Sequence, residues 1–529
     1  DNASLTFNDE IIDFWAYGII VENKGSLIAG DPDPIGTNGG KLTIHLYGED
    51  QGLGGSGVLC KTPMSATVGP CGIPLPIWNT NGASPQMLPG MVEDYFYQYK
   101  PLPQDDGDPN AYFGYKVLGV SYVGTLRMLG TNGSTLPDNL DSDNSGMSWA
   151  RLEGNVGVEA TQLKIDRAVD WKVGDRIVVT STDYLPGHSE VLEIVAPEVD
   201  ATTFNCKLID QFTGMDSDKG PGLQYPHNGI PYSLAKLPEN MKCSENNKDC
   251  IDIEVNGQPA AETRAAVGLL SRSIMIVSAG DTFMSDFPPI PGNYLGGHTM
   301  VRQGVQEFKV QGVQFHQLGQ GGKKGHYPVH FHQTRKTPEG TFVKDSSITD
   351  SMTRWITLHG AQGVTLARNV GCMSIGHGFY LEDGTEINNK LYSNLGILAR
   401  AAVKNDQNPR HVPGILAWGG RPNDAFVPYN SDIFNPTVFW IMNGWNDFEY
   451  NMAAGATGCG VCYWLVPGTN SGPSQGRKWD SYASMQTGQI MTEGSETYEV
   501  NMGRAGMTPL KTFKGNYCSS AMMSFNTVG

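Results

Sequence analysis

A chain of 529 residues exceeds the size at which one globular core stops growing, so it must divide into domains or extend as one repetitive domain. Its formal net charge of −17, with no dense Lys/Arg run, excludes a nucleic-acid partner and weighs against polyanions in general. The 66 Gly and 32 Pro against 17% charged residues favour short strands and turns over long surface helices.

The N-terminus, "DNASLTFNDE", lacks the features of a signal peptide, so a secreted chain would be shown here in mature form. No stretch approaches the roughly 18 to 20 apolar residues of a membrane helix. Residues 1–50 alternate β-type runs with glycine turns, "YGIIVENKGSLIAG" and "KLTIHLYG". A Gly/Pro/Asn-rich insertion over 51–110 follows, a length of irregular chain that is uncommon unless it covers a surface or forms a binding edge. From residue 111 the strand pattern resumes, and we expect a parallel β-helix over 111–470, interrupted near 211–260. Within it, Leu163, Ile165, Ile177 and Val179 supply period-two strands around a turn at Gly174 and Asp175. Residues 471–529 carry no pattern that assigns a structure.

The solenoid expectation rests on self-similarity. "QGV" occurs at 311–313 and 362–364, and Asn369 and Asn394 lie 25 residues apart, with Asn443 49 further on. Short strands with an Asn or Gly at each bend, and no paired helices, suit stacked β coils.

The cysteines include local pairs, Cys60 with Cys71 and Cys243 with Cys250, in polar loops that a disulfide would restrain. They favour an oxidising compartment. Cys459 and Cys462 form a CxxC, but no second CxxC or nearby His pair completes a metal motif. Nine cysteines is an odd number; Cys206, Cys372 and Cys518 have no local partner, and one is expected to be free or bonded to another chain. Asn2 and Asn132 fit the N-glycosylation pattern.

The chemistry concentrates in "GHYPVHFHQ". Aligning "VHFHQ" (329–333), "ITLHG" (356–360) and "FYLED" (379–383) makes Phe331, Leu358 and Leu381 inward. His332, His359 and Glu382 then form one outward column, on coils about 4.8 Å apart. His330 shares the face of His332 because strand side chains alternate, and Asp383 adjoins at the turn. Two readings stay open. His330, His332 and His359 can hold a divalent metal ion; alternatively, Glu382 or Asp383 with His359 and His377 can act as general acid and base on a bound sugar.

Arg354, at the bend before "WITLHG", is a candidate contact for a substrate carboxylate. Trp418 and Trp464 fall in one column as a candidate sugar platform. "GQGGKKGHY" with Arg335 and Lys336 reads either as a local basic groove or as a solvated loop.

Several motifs together resemble a known family. They are "YGIIVENKGSLIAGDPDPIGTNGGKLTIHLYG", "AVDWKVGDRIVVTSTDY", "RAAVGLLSRSIMI", "GVQFHQLGQ", "GHYPVHFH", "WITLHGAQGVTLARNVG" and "GHGFYLEDG". They are similar to the eight-glycine domain and β-helix of cell-migration-inducing and hyaluronan-binding protein and of transmembrane cell-surface hyaluronidase, with fibrocystin more distant. The resemblance runs from about residue 11 to about 400. It implies an all-β, right-handed parallel β-helix with long loop insertions, its residues 1–50 being the C-terminal part of an eight-glycine-type domain. Matching motif positions are Arg264, His330, His332, His359, His377, Glu382 and Asp383, with Arg264 a further candidate contact for substrate. The implied protein is extracellular and cleaves a polysaccharide of the hyaluronan type. The rival expectation is a non-catalytic glycoprotein that binds carbohydrate or self-assembles at a surface.

Overall fold

A computed structural model describes residues 3–47, 116–135, 146–212, 215–234, 253–255, 258–279, 296–321, 325–382, 384–403, 412, 414–417, 427–428, 430–466, 489–493, 496–500 and 509–527. Three nine-stranded sheets run the length of the molecule. Their strands are visited in turn, first, second and third sheet, and every pairing within them is parallel, as between Ser4–Phe7 and Ser26–Ala29. Nine stacked coils of a parallel β-helix result.

The reason lies in the alternation. Along the third sheet, Val329, Ile356, Phe379, Phe439 and Tyr463 stack in register, all buried. The rings of Phe379, Phe439 and Tyr463 are spaced 4.8 Å apart and nearly parallel, the separation of neighbouring strands. Trp355, wholly buried, fills the interior beside them. It fits because Gly371 and Gly378 have no side chains: a Cβ on either would come within 2.4 Å of its ring.

Asparagines secure the bends. Asn369, Asn394, Asn451 and Asn516 form a ladder in which each side-chain oxygen accepts from the backbone and side-chain amides of the residue before it. Asn389 and Asn446 form a parallel one. Asn443, expected to continue the Asn369 series, is not a member; it donates to the Gly384 carbonyl. The two "QGV" motifs are not equivalent either, since Gln311 ends a strand of the first sheet and Gln362 one of the third.

The β-helix is less continuous in sequence than expected. Its second-sheet strand at Leu42 pairs with Ile274, and between them a six-stranded antiparallel sheet is inserted, formed by Trp149–Arg151, Gln162–Lys164, Arg176–Val179, Glu190–Ile194, Thr203–Leu208 and Ala266–Leu269. Leu163, Ile165, Ile177 and Val179 are core residues of this unit, not of coils. Its other face, with Trp149, Val178, Val191 and Ala266, packs on Val370, Cys372, Leu395 and Ile397 of the second sheet. At the far end, Thr512–Lys514, Tyr517–Ser519 and Met523–Thr527 close the ninth coil, giving structure to a segment the sequence left unassigned.

That last coil is fastened by a disulfide between Cys462 and Cys518. The CxxC does not act as a pair, because alternation turns Cys462 into the interior while Cys459 is exposed. Cys206 and Cys372 are buried free thiols, their pKa pushed up to about 12 by burial. Cys60, Cys71, Cys243, Cys250 and Asn2 lie outside the described residues. The Asn132 amide nitrogen, the atom a glycan would occupy, donates to Asp175.

Candidate functional site

The register expected from the sequence is the one observed. His332 pairs with His359, Phe331 with Leu358 and Leu358 with Leu381, and the Glu382 amide donates to the Leu358 carbonyl. His332, His359 and Glu382 therefore stand in one column on consecutive coils. Their rings confirm it: His332 lies 5.0 Å from His359 and 4.9 Å from His330 between centroids.

The environment differs from an open groove. His330 is wholly buried, His359 is 7% exposed and Glu382 5%. His330 Nδ1 lies 2.6 Å from the Gly325 carbonyl, which fixes the proton on Nδ1 and leaves Nε2 as an acceptor. Nε2 is buried and has no hydrogen-bond partner, a condition that costs about 1–3 kcal/mol for a polar atom. Burial, and then the neighbouring His359, hold this imidazole neutral with a pKa well below 6.5.

Glu382 Oε2 lies 3.7 Å from His359 Nδ1, and the Gln333 side-chain amide lies 3.4 Å from His359 Nε2. A register shift between His332 and Arg335, with positive φ at Gln333 and Arg335, turns Gln333 toward His359. Bulges of this kind re-aim side chains beside functional sites. The imidazoles of His330, His332 and His359 offer nitrogens within 4.8 Å of one another, and these three residues can hold a metal ion.

Alternation also builds the next column over. His330, Thr357, Tyr380, Trp440 and Trp464 follow one another across the third sheet. Trp440 and Trp464 are in edge contact at 5.2 Å, and neither indole N–H has an acceptor. Trp464 thus has Trp440 as its register partner, and Trp418, the other member of the expected platform, lies outside the described residues. Tyr327 packs against His330 at 4.9 Å. Burial, followed by the charge of Glu382, raises its hydroxyl well above pKa 10 and keeps it a phenol.

Other candidate residues are placed elsewhere. Arg354 is 1% exposed and paired with Asp432 at 2.8 Å, so its charge is already matched and no longer offered to a substrate carboxylate. His377 is wholly buried against Trp440 at 4.3 Å, with Nε2 3.3 Å from Ser431 Oγ and 3.6 Å from Asp432. It stands outside the His332 column. Arg264 is bound to Glu262 and Asp166 beside the inserted sheet, which packs on the second sheet rather than the third. Arg335 is buried, which removes it from both the basic-groove and the solvated-loop reading, and Asp383 lies outside the described residues. The sequence reading missed Tyr327, Gln333, Tyr380 and Trp440. Extending the 329/356/379 alignment by one further strand, to Thr437–Ile441, would have found Tyr380 and Trp440.

Residues 294–525 match the family model described as the CEMIP beta-helix. A G8 domain-containing protein of Dictyostelium discoideum is 31% identical over 316 residues, covering 58% of this chain and 17% of its own length. Cell surface hyaluronidase CEMIP2 of Homo sapiens is 28% identical over 340 residues, covering 60% of this chain and 21% of its own. The cell migration-inducing and hyaluronan-binding protein of Mus musculus is 26% identical over 350 residues, covering 63% and 22%. The chain spans about a fifth of the length of these relatives.

Proposed function

We propose that this chain, whose residues 294–525 match the CEMIP beta-helix model, acts outside the cell on an acidic polysaccharide of the hyaluronan type, cleaving it at the His332, His359 and Glu382 column. The observation that carries the reading is the column itself: two imidazoles and a carboxylate in register on consecutive coils.

Glu382 is the acid/base. Set 3.7 Å from His359, its carboxyl can give or take a proton at a glycosidic oxygen, or take one from the carbon beside a uronate carboxylate. The imidazoles orient the substrate and carry protons.

Burial favours a second reading, a rod that binds carbohydrate without cutting it. His359 and Glu382, at 7% and 5% exposure, with His332 only half-buried beside them, leave a polymer little direct access in this conformation. The two readings separate on incubation with hyaluronan, chondroitin and a neutral glucan, scoring both retention of the polymer and release of oligosaccharides. The enzyme reading predicts release from the acidic polymers and none from the glucan. Retention without release supports the binding rod and rejects the enzyme.

A further inference from the structure

We infer that His330, His332 and His359 form a binding site for one divalent transition-metal ion of the zinc or cobalt type. The assignment stands on geometry and does not depend on the polysaccharide reading.

Imidazole nitrogens are the donors that such ions prefer over carboxylate and carbonyl oxygens, which suit magnesium and calcium. The three here come from two adjacent coils. His330 and His332 project from one strand by alternation, and His359 is the register partner of His332. Nitrogens about 2.0–2.1 Å from a tetrahedral zinc lie roughly 3.4 Å apart. The separation of at most 4.8 Å found here closes to that through ring movements of about 1 Å or less. Rings ligated in this way have centroids roughly 5 Å apart, and the observed values are 4.9, 5.0 and 6.0 Å.

A second observation points to a ligand independently. His330 is wholly buried, and its Nδ1 is committed to the Gly325 carbonyl, yet Nε2 has no hydrogen-bond partner. An imidazole whose distal nitrogen is held by a carbonyl while the other meets no protein donor has the arrangement of a metal-ligating histidine. Glu382, 3.7 Å from His359 Nδ1, stands beyond hydrogen-bond distance but on the side from which carboxylates support ligating imidazoles, and His359 Nε2 would exchange the Gln333 amide at 3.4 Å for the ion. Three protein ligands leave the fourth position of a tetrahedral ion to water or to an oxygen of a bound molecule.

The test uses the full 529-residue chain, stripped with a chelator, dialysed and titrated with Co(II) and Zn(II). Wild type should take up one ion per chain, and Co(II) should give the intense visible bands of a tetrahedral nitrogen site, bleached by excess Zn(II). His332→Ala and His359→Ala should lose at least tenfold in affinity, while His45→Ala, on a half-buried position of the second sheet, should bind as wild type does. Weak six-coordinate Co(II) absorption in wild type overturns the proposal without recourse to any variant. Unchanged uptake in folded His332→Ala, judged by circular dichroism, overturns it as well. Metal uptake without polysaccharide cleavage would leave this site standing and reject only the catalytic reading.

Discussion

Buried ionic and imidazole groups decide the behaviour of this protein at the scale of single residues. Arg354 and Asp432 are paired in the interior with exposures of 2% and 0%, and Asp432 also accepts from the Ile415 amide at 2.7 Å. Removing one partner strands the other charge, so Arg354→Met should cost about 3–5 kcal/mol. The double variant Arg354→Met with Asp432→Leu should recover much of that in urea unfolding; equal losses in the two would refute the pairing argument. His377, beside the same pair, has its pKa pushed well below 6.5 by burial and then by Arg354. The folded state therefore prefers the neutral ring, and the unfolded state binds the proton more readily. The stability this contributes is fully present above about pH 6.5 and falls as the pH drops through that value toward the depressed one. His377→Gln should flatten the acid limb of melting temperature against pH; an unchanged limb would mean other groups dominate it.

At the scale of the element, a coil is held by an interior stack and by a bend. Asn394 accepts from the backbone and side chain of Asn369 and donates to the Leu366 carbonyl and to Asn451. Asn394→Ala leaves several buried groups unsatisfied and should cost roughly 2–4 kcal/mol at about 1–3 kcal/mol for each group of this kind. A loss below 0.5 kcal/mol, the order of a surface substitution, would show the ladder to be decoration. Gly371→Ala tests the stack, because its new methyl would collide with Trp355, which immediately precedes the His359 strand. Unfolding midpoint and metal uptake should fall together.

The elements bearing the site were legible in the sequence for a physical reason. Phe331, Leu358 and Leu381 sit between polar neighbours at period two, and that pattern aligned His332, His359 and Glu382 before any coordinates. Antiparallel strands have the same period, so residues 162–179 gave no sign of belonging to another sheet. The ladder partner of Asn394 differs from the expected one because the coil returns after 57 residues, at Asn451, and not after 49, at Asn443. Burial is not legible either: a position at a bend says nothing about what packs over it, and Arg354 and His377, candidates by residue type, are buried.

Over the whole molecule, nine coils make a rod whose faces are divided among tasks. The inserted antiparallel unit covers the second sheet, and the third carries the histidine column and the Tyr380, Trp440 and Trp464 series. The Cys462–Cys518 bridge, closing a separation of 56 residues, ties the final coil to the one before it. Replacing Cys518 by Ala should lower stability by about 2–4 kcal/mol and leave the central coils intact, read as a split between early and late unfolding in hydrogen exchange. Uniform loss of protection along the rod would instead mark it as one cooperative unit. Cleavage of an acidic polysaccharide by the third-sheet column is read from the length distribution of hyaluronan after incubation with wild type and with Glu382→Gln of matched melting temperature. Wild type should shorten the polymer and Glu382→Gln should be at least about 100-fold slower, the usual size of an acid/base contribution; equal shortening by both, or none by wild type, would contradict it.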